Sequence, residues 1–159
     1  MSSVLVPLSK KRKGASLTPG FEPRYETGAW TPDPFAGVSL VGNFNGWYTK
    51  MGNVVVVQAY LDFNSKVGAS GSVTIRGFPY PARAGTPTFQ NVPLIHATFT
   101  MPVSGTTLGC RIGPGSTTAT LISYSADASA VGFGTVDVSA VGGTSFIYMN
   151  ATYITDDDT

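Results

Sequence analysis

The chain of 159 residues carries a formal charge of +1, and 12% of its residues are charged against 42% hydrophobic. That length suits one domain with a sizeable core and is too short to expect two, and the hydrophobic share argues against disorder. A near-neutral middle excludes a broad nucleic-acid footprint, the single cysteine excludes an internal disulfide or a cysteine-based metal cluster, and no apolar run has transmembrane length. Low charge also suggests that part of the surface is covered by a partner. Charge gathers at the ends, in Lys10, Lys11, Arg12 and Lys13 and in Asp156, Asp157 and Asp158. The apolar patch Val4-Leu5-Val6 precedes its basic run, the reverse of a secretory signal, so synthesis in the cytoplasm is expected.

Residues 1–35 read as an extended N-terminal docking arm. Pro7, Pro19, Pro23, Pro32 and Pro34 oppose helix and central strand alike. Yet the arm carries Leu5, Leu8, Leu17, Phe21, Tyr25 and Trp30, and each large apolar group left exposed forgoes about 1.5–3 kcal/mol of burial. Such an arm is expected to lie on a partner, with Leu5, Leu8, Leu17 and Phe21 as anchors. Lys10, Lys11, Arg12 and Lys13 would dock on an acidic surface, bind nucleic acid, act as an import signal, or stay solvated. No aromatics interleave with them, which weakens the single-strand reading.

Residues 36–159 read as a β-domain. Ala36–Val41 suits a short first strand, and Gly42-Asn43-Phe44-Asn45-Gly46 carries turn chemistry. Val54–Phe63 follows as a long strand. One face is apolar (Val55, Val57, Ala59, Leu61, Phe63) and the other mixed (Val54, Val56, Gln58, Tyr60, Asp62). Ser72–Arg76 is expected to be its shorter partner. Phe78–Pro93 is a loop pinned by Phe78, Tyr80 and Phe89. Further strands are expected at Leu94–Met101, Thr107–Ile112, Thr117–Ser125, Val131–Val138 and Ser145–Ile154. In the last, Phe146 and Tyr148 face one way and Ile147, Met149, Ala151 and Tyr153 the other. No window has a 3.6-residue period. The expected fold is all-β, an antiparallel jelly-roll-like sandwich behind an arm, and the acidic end is a solvated terminus.

Convergent polar groups for catalysis are not apparent. His96, the one histidine, lacks a second histidine or a cysteine for a metal or triad role and suits a half-exposed strand position. Asp62 and Asp127 could meet as a glycosidase-like dyad, but no motif surrounds them. Cys110, between Leu108 and Ile112, suits a buried inert thiol. Gly113-Pro114-Gly115 and Gly132-Phe133-Gly134 are turns, and Asn150-Ala151-Thr152 fits the glycosylation consensus by chance. No catalytic, cofactor or metal residues are assigned.

Three segments carry a family resemblance: Gly28-Ala29-Trp30-Thr31-Pro32, Gly46-Trp47-Tyr48-Thr49-Lys50-Met51-Gly52-Asn53-Val54-Val55, and Gly71-Ser72-Val73-Thr74-Ile75-Arg76-Gly77-Phe78-Pro79. Together, over residues 28–80, they resemble a β-rich module of tailed-bacteriophage virion proteins with the pattern GxWTP, GxYxKxGNxV and GxVxIxGLPF. Here Phe78 replaces the usual Leu, and Tyr80 follows the proline. On physical grounds Trp47, Tyr48 and Phe78 would cap the core and Gly52-Asn53 would turn into the long strand. The resemblance implies a scaffold rather than an active site. Relatives carry the module in tail fibres, commonly as trimers and at the end of longer chains. A short arm before a β-domain suits instead a capsid decoration (cement) protein on the virion exterior, a homotrimer bound to the major capsid protein through its arm. The alternatives are a tail-fibre tip recognising a host glycan and, last, a β-sandwich hydrolase of envelope polysaccharide.

Overall fold

Segments rich in β-branched and aromatic residues pair here, and every pair is antiparallel. The computed structural model describes residues 25–85, 90–99, 106–125 and 133–156. The strands are β1 (Tyr25–Trp30), β2 (Asp33–Ala36), β3 (Val38–Ser39), β4 (Val41–Met51), β5 (Val54–Ser65), β6 (Thr74–Arg76), β7 (Gln90–Phe99), β8 (Thr106–Ile112), β9 (Ala119–Ser125), β10 (Phe133–Thr135) and β11 (Val141–Ile154), with one 3-10 turn at Val138–Ala140. The all-β antiparallel class is as expected.

Neighbouring strands run in the order β1-β4-β5-β11-β7-β8-β9-β6-β2-β3, with β10 on β9. β7 is shared between two halves. Its residues 90–93 pair with β8 and its residues 94–99 with β11. The halves fold over a common core, so the Cys110 sulfur on β8 lies 4.0 Å from the Met149 sulfur on β11 although those strands do not pair.

Alternation decides what enters that core. Val55, Val57, Ala59, Leu61 and Phe63 of β5 are buried, as are Ile147, Met149, Ala151 and Tyr153 of β11. Ile75, Leu108, Ile112, Ala119 and Leu121 face them from the other half. Both expected strand faces are therefore observed. The β4–β5 hairpin also turns where expected, through Gly52-Asn53 between the paired Met51 and Val54, with Gly52 at φ +57.

Elsewhere the structure corrects the reading. Residues 25–35, expected in the arm, lie in sheet strands or the short connection between them, and Trp30 is buried. Pro34 is tolerated because β2 is short and lies near the end of the strand order. Gly42–Gly46 is no turn but part of β4. Its glycines serve close approach instead: a Cβ on Gly42 would sit 1.9 Å from the Asp62 carbonyl oxygen. β5 is flanked by β4 and β11, whereas the expected partner β6 pairs with β2 and β9. The apolar alternation of β6 fits either half of the core, so sequence could not choose between them.

Candidate functional site

The motif residues meet at the β1 edge. In the β1–β4 register Gly28 faces Tyr48 and Trp30 faces Gly46, so each ring lies over the glycine opposite. The Trp30 indole N–H donates to the Gln58 carbonyl at 3.3 Å, and its ring stands 5.0 Å from Phe78. Below it Glu26 accepts two phenolic hydrogen bonds, from Tyr48 at 2.5 Å and from Tyr80 at 2.7 Å. Lys50 is buried, with its ammonium 5.1 Å from the centre of the Tyr80 ring. The bond to Glu26, and then burial, raise the Tyr48 pKa; burial, and then Glu26, raise that of Tyr80. Both phenols stay neutral donors near neutral pH. This cluster holds chain segments together and offers no nucleophile.

Segment 77–85 straps over this end. Phe78 donates its N–H to the Thr117 carbonyl, Ala82 to that of Ser116 and Arg83 to that of Ile154. The buried Tyr153 hydroxyl donates to the Tyr80 carbonyl at 3.0 Å and accepts from the Tyr80 N–H at 3.3 Å. Asp156 closes the strap, accepting from Arg83 at 2.9 Å and from the Ala84 N–H at 2.6 Å. The Ala84 amide, and then Arg83, hold its carboxyl below the usual carboxylate range. Asp156 is thus engaged, which corrects the expectation of a wholly solvated acidic end.

The opposite, outward face of β4, β5 and β11 has a different character. Register sets side chains in two rows across these strands, Asn45–Tyr60–Tyr148 and Trp47–Gln58–Asn150. Together they border a depression of about 510 Å³. Trp47 is 66% exposed and Tyr148 50%. Tyr60 and Tyr148 lie 4.9 Å apart between ring centres, and Phe146 packs edge-on to Tyr148 at 5.4 Å. Burial, then Asp62 and Tyr148, raise the Tyr60 pKa. Among the described residues no charged side chain borders the depression. The face offers flat rings and primary amides side by side, so it can stack against a ligand and exchange hydrogen bonds with it. Its nearest charge is Asp62, one row beyond Tyr60 on the same side of β5; among the described residues no acid, base or metal ligand borders the depression itself.

The expected site residues fare unevenly. Leu5, Leu8, Lys10, Lys11, Arg12, Lys13, Leu17 and Phe21 lie outside the described residues, as do Phe89 and Asp127. Asp62 lies on β5 between Asn43 and Phe146, and His96 on β7 opposite Ile147. Cys110 is fully buried, and burial pushes its thiol pKa up to about 12, as suits an inert core thiol. Among the described residues no group of three or more His, Cys, Asp or Glu side chains could hold a metal, and no helix is long and apolar enough to cross a membrane.

Phe78 caps the core and Tyr48 packs at its margin, but Trp47 points outward. The usable signal was parity: if Gly46 lies under Trp30, its neighbour Trp47 must project from the other face.

No family model matches the chain, and no curated protein matches it. Among solved structures the chain is similar to the crystal structure of the Dettilon tailspike protein (gp208), with a TM-score of 0.62 at 18% identity. The match covers 82% of this chain and 24% of that one. The fold is shared with a tailspike. The chain therefore spans about a quarter of that protein's length.

Proposed function

We propose that this chain is a structural component of a tailed-bacteriophage virion, acting as a β-module of a tail appendage. The fold shared with a tailspike over 82% of the chain carries the reading, and the virion-module motif supports it independently. In this reading the module works by binding and assembly rather than by turnover. Glu26 and Asp156, carboxylates of the described β-domain, accept structural hydrogen bonds and do not converge on an open cleft.

A second placement keeps the virion role and moves the protein to the shell. Lys10–Lys13, flanked by Leu5, Leu8, Leu17 and Phe21, favour a capsid decoration protein that seats homotrimers on the major capsid protein. Quantitative mass spectrometry of purified particles separates the two. A few copies per virion, with labelling at the tail, is the expected result. Copy numbers matching the major capsid protein would move the chain to the shell, and absence from particles would overturn both.

A further inference from the structure

We propose that the outward face of β4, β5 and β11 is a binding site for a neutral oligosaccharide, seated in the depression bordered by Asn45, Trp47, Gln58, Tyr60, Tyr148 and Asn150. A volume of about 510 Å³ lies within the range of ligand sites, roughly 300–1,000 Å³. The chemistry narrows the ligand. A pyranose ring has an apolar C–H face and a rim of hydroxyl groups that donate and accept. Trp47 and Tyr148, heavily exposed and set on adjoining rows, supply aromatic surface for the first. Asn45, Gln58 and Asn150 are exposed and surround those rings with groups that both donate and accept, matching the second.

Other ligand classes fit less well. Nucleic acid and acidic polymers need cations, and among the described residues no Lys or Arg borders the depression. A second copy of the chain would have to satisfy three exposed amides across an otherwise aromatic contact, where interface centres favour apolar burial. The tyrosine ring is also braced beforehand: Tyr60 packs against both Tyr148 and Phe146, so little of its side-chain freedom is lost on binding. The inference deepens the appendage reading by naming what such a module would hold, and is tested apart from it.

Tryptophan emission supplies a direct readout, because Trp47 is exposed and Trp30, the other tryptophan, is buried. The full chain is screened on an array of neutral bacterial polysaccharides, and hexasaccharide fragments of the best responder are titrated while emission and iodide quenching are followed. Saturable binding should shift emission to the blue and shield Trp47 from iodide. Trp47→Ala should abolish the signal, and Tyr148→Ala and Asn150→Ala should each weaken binding, the aromatic loss by about tenfold, followed by calorimetry. Trp47 and Asn150 are exposed, so melting of their variants should match the parent, whereas Tyr148→Ala also loses its packing on Tyr60 and Phe146 and should melt somewhat lower while staying folded. No response on the array, or unchanged affinity in Trp47→Ala and Tyr148→Ala, overturns the proposal. So does a parent oligomer that Trp47→Ala converts to monomers, which would make this face a self-interface. Copy number in virions does not enter any of these readouts, so the appendage reading stands or falls separately.

Discussion

Trp30 lies so close over Gly46 that a Cβ on that glycine would fall 2.2 Å from the indole nitrogen. The ring has little room to retreat, with its N–H on the Gln58 carbonyl and Phe78 beside it. Gly46→Ala should therefore destabilise the fold by about 1–3 kcal/mol, as overpacking does. Urea denaturation measures it. Trp30→Leu should relieve part of the clash, so the double variant should lose less than the sum of the single ones. An unperturbed Gly46→Ala would show that the ring yields freely.

Tyr153 makes a second closure. Its hydroxyl serves both backbone groups of Tyr80, and Tyr153→Phe leaves them without that partner. A loss of about 1–3 kcal/mol is expected. Hydrogen exchange at residues 78–84 should rise with it, whereas exchange in β8 and β9 should change less.

Stability should fall on the alkaline side through Cys110. Its pKa rises from 9.0 in the unfolded reference to about 12 in the fold. A raised acid pKa means that the native state holds its proton longer. The contribution is whole below pH 9 and is lost as pH climbs toward 12. Tyr48, Tyr80 and Tyr153 are also raised, from 10.0, so their losses begin higher. Between pH 9 and 10 the slope should flatten in Cys110→Ala, read from denaturation midpoints. A thiol reagent should modify the parent only as fast as it unfolds.

Acid acts in the opposite sense through Asp156. The Ala84 amide, and then Arg83, lower its pKa, so its contribution is present above the unfolded value of about 3.9 and disappears as pH falls through the folded one. Asp137 behaves alike, lowered first by the Ser139 amide. Asp156→Asn should be less stable than the parent at pH 7 and should approach it as acid is added. Parallel stability curves across that range would discount the strap contact.

Strand faces were legible wherever burial alternates strictly. Val55 to Phe63 and Ile147 to Tyr153 announce their inner sides because each inward residue is large and apolar. Gln58, Tyr60 and Tyr148 could likewise be assigned to outer sides. What sequence could not supply was adjacency. Nothing in Gln58 or Asn150 says that β5 and β11 are neighbours, and only their pairing joins separate polar residues into one face. Glycine misled for a related reason. In Gly42 and Gly46 the missing side chain makes room for a carbonyl and an indole, a use of glycine that looks like a turn until the opposing strand is known.

β11, the last strand in chain order, lies between β5 and β7 near the middle of the sheet. Vectorial synthesis therefore produces both flanking strands before the one that joins them. Until residues 141–154 leave the ribosome, the Val-rich edge of β5 has no partner on that side, and the nascent chain carries an adhesive seam that invites chaperones or neighbouring chains. Closure then depends on contacts between distant parts of the chain, which places folding on the order of milliseconds to seconds. Assembly of the sheet is therefore timed by the emergence of β11, however early its other strands appear.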